Sequence, residues 1–207
     1  DRFTVPVWLL EASIEYPDLQ TDLLYNLFDQ SKPLWRYVGK EWLIKILKLY
    51  TRIPLVAAHA LRLALMALLV VKKLHLDRQL TTELIQVCLL HDIGKSLCPD
   101  LINAPRSLNE KERGEVRKHP VHSFGVIEKN KIDVSERVKI LVVTHRNYEK
   151  QGLQHIFELN ADGELLQEIL FVINRLDDSQ NFTRAFHHRG KEDVAKVLEE
   201  LKTLAKE

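Results

Sequence analysis

Residues 54–74, PLVAAHALRLALMALLVVKKL, limit more than any other stretch what this chain can become. Their spacing predicts one long helix with Pro54 in its first turn, where a missing N–H is harmless. Its centre, LALMALLVV (63–71), is apolar on every side and calls for burial. That run is much too short to span a bilayer, and Arg62 and Lys72 flank it, so we expect a buried core helix and no membrane partner. Inside the helix sits His59, a polar ring in an apolar setting.

The remainder is helical wherever spacing is informative, and the expected class is all-α. Only seven glycines and seven prolines occur, too few for the tight turns of an all-β chain. Residues 41–50, EWLIKILKLY, line up Trp42, Ile46 and Leu49 on one face. Thr81 or Thr82 can cap the next helix, which runs to Asp92, with Gly94 as its stop. Asn109 with Glu112 three positions on is a capping-box pattern, and Pro120 starts a helix to about Lys129. Asp133 or Ser135 can cap a helix with a Val138, Leu141 and Val142 stripe; its KILVV run would also suit a strand, but the caps favour helix. ADGELLQEILFVINRL (161–176) and KEDVAKVLEELKTLAK (191–206) supply two more, for eight or more helices and no confident strand.

At 207 residues the chain suits one domain with a smaller appendage. We expect a helical extension over 1–50 and the main domain over 51–207. The extension holds all three tryptophans (Trp8, Trp35, Trp42) and four of five tyrosines. That concentration reads as a packing layer, with a homodimer surface as the alternative. A net charge of +1 gives no electrostatic reason to bind duplex nucleic acid. Cys88 and Cys98 form no disulfide framework, which suits a reducing cytoplasm. DRFTVPVWLL shows no signal-peptide pattern, and the absence of an initial Met suggests a fragment with a regulatory domain elsewhere.

The segment LLHDIGKSLCPD (89–100) ends an apolar helix in His91 and Asp92, with Lys95 just beyond. His59, His119 beside Pro120, and His145 at the end of KILVVTH also lie in or at the end of segments with an apolar face. Each alone is more often a satisfied core or cap histidine. Burying several such rings without partners costs about 1–3 kcal/mol apiece, and a shared cation satisfies them together. Imidazoles with one carboxylate favour Zn, Fe, Mn, Co or Ni over Ca or Mg. Asp92 has two oxygens and can bridge two ions, which at roughly 3.5–4 Å apart clamp a phosphoryl displacement. Lys95 would bring a fixed positive charge to a phosphate oxygen. His75 looks solvated and His155 falls in a loop. His122, one turn past His119, is a weaker candidate, and His187 and His188 read as surface residues. Cys98, near the motif, reads as a packed thiol rather than a ligand.

HDIGKSLCPDLINAPRSLNEKERGEVRKHPVHSFGVI (91–127) resembles the core of the HD superfamily of metal-dependent phosphohydrolases, and within it the HD-GYP branch, which hydrolyses cyclic di-GMP. The resemblance covers about residues 50–190. It implies an HD-domain helical bundle with a centre of two or three ions, and a place in signal transduction. By position it casts His59, His91, Asp92, His119 and His145 as ligands, Asp92 as the bridge and Lys95 as the phosphate-binding cation. THRN stands where the branch has two adjacent histidines, and HRNYEKQGLQH keeps Gly152 but not the tyrosine and proline of the namesake loop. Asn174 falls where an aspartate completes the metal site, with Asp177 and Asp178 a turn further along. Leu55, a turn before His59, offers no acidic ligand for a third ion, so at most two ions are expected. Two readings follow: a phosphodiesterase for a cyclic dinucleotide or related phosphate ester, or a degenerate module that binds metal, nucleotide or partner without turnover. A purely structural helical domain would leave the buried histidines unexplained.

Overall fold

In a computed structural model, the structure describes residues 21–146 and 159–180. Trp8, the loop around Gly152, His155, the His187–His188 pair and the helix expected over 191–206 lie outside them. Every regular element among the described residues is helical: α1 (Thr21–Gln30), α2 (Trp35–Val38), α3 (Lys40–Leu49), α4 (Pro54–Leu74), α5 (Arg78–Leu90), α6 (Pro99–Ile102), α7 (Glu110–Arg117), α8 (His119–Lys129), α9 (Glu136–Thr144) and α10 (Ala161–Gln180). Short 3₁₀ turns cover Lys32–Leu34 and Ile93–Leu97. Among the described residues the chain is an all-α bundle.

Helix α4 is the axis. It packs on α5 along much of its length, and α10 and α1 close over other faces. Its small residues Ala57, Ala60, Ala64 and Ala67 recur three and four apart and are all buried, as are Leu61 and Leu63. As a whole, α4 is long and apolar enough to cross a membrane, with a mean hydropathy of 2.1 over its best window. The short run LALMALLVV therefore understated it. What marks α4 as a core helix is the 61% of that window enclosed by the other helices. It closes at His75, a non-glycine residue at φ 54°, with the Leu76 N–H donating to the Val71 carbonyl.

The other caps follow local chemistry. Asn109 and Glu112 form the expected capping box. Ser135, not Asp133, caps α9 by accepting from the Val138 N–H. Helix α5 begins a turn earlier than its threonines suggested: the extended Asp77 accepts from the Leu80 N–H, while Thr81 and Thr82 bond back to the carbonyls of Asp77 and Arg78. The buried face of α3 is Leu43, Ile46 and Leu47, continued by Tyr50 at its cap, rotated one position from the expected stripe, and Trp42 and Leu49 are only partly covered. Trp42 instead donates its indole N–H to the Asp133 carbonyl, 3.2 Å away, which ties α3 to the turn between α8 and α9.

Gly94 has another reason than the expected one. Helix α5 ends at Leu90, not Asp92, with His91 in right-handed conformation at its cap. Gly94 is not left-handed: of the described glycines only Gly39 has a positive φ. A Cβ on Gly94 would lie 2.3 Å from the His119 carbonyl oxygen and 2.4 Å from the Ser123 nitrogen. The residue is a hydrogen so that the backbone of α8 can rest on the 3₁₀ turn after His91 and Asp92.

Candidate metal centre

Five side chains predicted from sequence come from four elements: His59 from the second turn of α4, His91 and Asp92 from the end of α5, His119 from the first position of α8, and His145 from the cap of α9. The structure gathers them. Ring centroids lie 5.3 Å apart for His59 and His91, 5.0 Å for His91 and His145, and 5.1 Å for His119 and His145. His59, His91, Asp92 and His119 are buried, and His145 is partly so.

Three imidazoles are oriented by one local device. The Nδ1 atoms of His91, His119 and His145 lie 3.0, 2.8 and 2.7 Å from the carbonyl oxygens of Cys88, Val116 and Val142, each three residues earlier. A carbonyl only accepts, so each Nδ1 carries the proton and each Nε2 presents a lone pair. His59 is oriented by a carboxylate instead, with Nδ1 2.6 Å from Asp177 Oδ2. Arg62, one turn along α4, grips that carboxylate with both arms at 2.7 and 2.9 Å.

The Nε2 atoms converge on Asp92. His91 Nε2 stands 3.5 Å and His59 Nε2 3.9 Å from Oδ2, while His119 Nε2 stands 3.0 Å from Oδ1. His119 and His145 bring their Nε2 atoms within 3.1 Å of each other. Two lone pairs at that separation, beside a carboxylate, repel unless a proton or a cation lies between them. Burial argues against the proton. It is the main cause that lowers His91, His119 and His145 to about 3, with Lys95 or a neighbouring imidazole adding to it and Asp92 opposing. Burial pushes the Asp92 carboxyl up, but Lys95, His91 and His119 outweigh it and hold the group well below the carboxylate range. Neutral nitrogen donors around an ionised carboxylate fit a divalent transition metal.

Two groups that could hold a metal ion share Asp92: His59, His91 and Asp92 form one, and Asp92, His119 and His145 the other, with donor atoms within 4.8 Å in each. Lys95 is buried, its Nζ 2.5 Å from Asp92 Oδ2. Asn174 lies on α10 one turn before Asp177, and its Oδ1 is buried without a hydrogen-bond partner among the described residues. Cys98, outside both groups, turns its thiol toward the Lys95 carbonyl. His122 is also outside both groups.

Sequence reasoning passed over the hold on His59. It set Asp177 a full turn from the centre and treated Arg62 only as a flanking charge. Asp177 does lie a turn away from Asn174, yet that turn brings it to the outer nitrogen of His59. The available signal was Arg62 three residues after His59, on the same side of an apolar helix.

No curated protein and no solved structure matches the chain. The HD domain family matches residues 56–178. That span opens just before His59 and closes just after Asp177, enclosing every group that meets at Asp92. The chain belongs to the HD domain family, within the HD superfamily of metal-dependent phosphohydrolases.

Proposed function

We propose that the chain is a metal-dependent phosphodiesterase acting on a cyclic dinucleotide such as cyclic di-GMP, or on a related nucleotide ester, in bacterial signalling. The observation that carries this reading is the sharing of Asp92, whose two oxygens face different imidazoles. His59 and His91 with Asp92 would hold one divalent ion, and His119 and His145 with Asp92 a second. When bound, such ions supply Lewis acidity toward a phosphoryl oxygen and lower the pKa of water. The imidazoles of His91, His119 and His145 stay neutral at physiological pH, so their Nε2 lone pairs are ready as donors. Lys95 contributes a fixed positive charge at the edge of the site, held by Asp92, where a phosphate oxygen gathers negative charge. Asn174, with its buried Oδ1, is the candidate for a further weak neutral ligand.

A receptor that binds without turnover is the second reading. It is favoured by the shortage of carboxylates: Asp177 is committed to Arg62 and His59, and neither group centred on Asp92 contains another acid. Elemental analysis of the purified protein, beside assays on an aryl phosphodiester and on cyclic di-GMP, separates the two. Retained transition metal with turnover that disappears in Asp92→Asn supports the enzyme. Retained metal without turnover of either ester supports the receptor. Hydrolysis of the aryl ester alone removes cyclic di-GMP as the substrate.

A further inference from the structure

We infer that Tyr50 and Ser123 are positioning residues for the metal centre, holding the backbone from which His91 and Asp92 project. The inference rests on the metal-binding reading above. A helix ends with carbonyls that have no partner in the helix, and a buried end must find them elsewhere. At the end of α5 the Val87 carbonyl accepts from the His91 N–H, and the Cys88 carbonyl lies 3.0 Å from His91 Nδ1. The Leu89 carbonyl is taken by Tyr50, whose phenol donates at 2.9 Å from the chain just after α3. Ser123 of α8 donates its hydroxyl to the His91 carbonyl at 2.9 Å and accepts from the Gly94 N–H at 2.8 Å. One hydroxyl thus joins the backbone on both sides of Asp92.

These bonds fix more than one helix end. Ser123 and His119 lie on the same helix four residues apart, so anchoring Ser123 to His91 and Gly94 sets the 3.0 Å approach of His119 Nε2 to Asp92 Oδ1. Tyr50, through the Leu89 carbonyl, prevents the last turn of α5 from rotating and carrying His91 away from His145. Both side chains are buried, Tyr50 at 1% and Ser123 at 0% exposure, so water does not replace either bond when it is removed. Tyr50 also makes the amino-terminal helices part of the support of the centre.

The test uses the full 207-residue chain, stripped of metal with a chelator and titrated calorimetrically with Mn²⁺ and Zn²⁺ well below the melting temperature of each variant. Tyr50→Phe keeps the ring and removes the donor; Ser123→Ala removes the bridging hydroxyl. Each is expected to weaken ion binding about tenfold, the lower end for losing a group that holds a ligand in place. Ile46→Val, in the same buried layer, should lower the melting temperature and leave the dissociation constant unchanged. Unchanged affinity in folded Tyr50→Phe and Ser123→Ala, with only a lower melting temperature, would overturn the inference and leave the metal centre standing. Uptake of neither ion by the unsubstituted chain would overturn the metal reading and the inference with it. If Ser123→Ala does not fold, Tyr50→Phe decides alone.

Discussion

Replacing Gly94 by alanine tests how the site is assembled, because two physical effects predict opposite signs. Gly94 is in ordinary right-handed backbone, so conformational entropy and helical preference alone favour alanine by up to about 1 kcal/mol. Packing opposes it. The new Cβ would stand 2.3 Å from the His119 oxygen, 2.4 Å from the Ser123 nitrogen and 2.8 Å from the His122 carbonyl carbon. The two nearest contacts are roughly 1 Å or more inside van der Waals separation, and all three are backbone atoms that no rotamer change can move. Helix α8 must shift as a body, for a net loss of about 3 kcal/mol, the upper end of ordinary overpacking. For a chain of this size that lowers the melting temperature by roughly 6–12 °C. The same shift carries His119 away from Asp92 and should weaken Mn²⁺ binding at least about tenfold. Thermal melts and ion titration of Gly94→Ala check both. An equal or higher melting temperature with unchanged ion affinity would refute the close approach of α8.

Three further substitutions examine separate parts of the molecule. Asp177→Asn removes the charge that orients His59 and should weaken divalent-ion binding roughly 10–100-fold by calorimetry, with unaltered affinity arguing against that role. Arg137→Met should cost about 3 kcal/mol in a denaturant melt, because Glu83, 5% exposed and 2.6 Å from the guanidinium, is left buried and charged; adding Glu83→Gln should restore most of it. Glu112 is held at about 2 by Arg106 and then by the Asn109 N–H, below its ordinary 4.5. A lowered folded pKa contributes stability above the ordinary value that is lost as pH falls through about 2. The melting-temperature gap between the unsubstituted chain and Glu112→Gln should therefore hold from pH 7 to about 4.5 and close near pH 2.

Helix existence was legible because it depends on neighbours in the chain. The spacing from Pro54 to Leu74, the Asn109–Glu112 box and the Val138, Leu141 and Val142 stripe all match the structure. Ends and faces were less so: Asp77 outcompeted Thr81 and Thr82 as a cap, and the buried face of α3 lies one position from its expected place. A cap is decided by the backbone of one residue, and a face by which neighbour arrives, neither of which a periodic pattern contains.

Several imidazoles and one aspartate stand at apolar positions in the chain, and because desolvating polar rings without partners is costly, the pattern alone called for a shared partner. All of them but His59 fall at helix starts and ends, where successive elements can meet. That the rings face one carboxylate, which nitrogen each presents, and that Arg62 and Asp177 stand behind His59 emerged from packing alone. The same holds for Gly94, Tyr50 and Ser123, whose roles exist only where one backbone lies against another. Tautomer, approach distance and outer support arise from groups far apart in the chain, and they take definite values only when packing fixes the helices against each other.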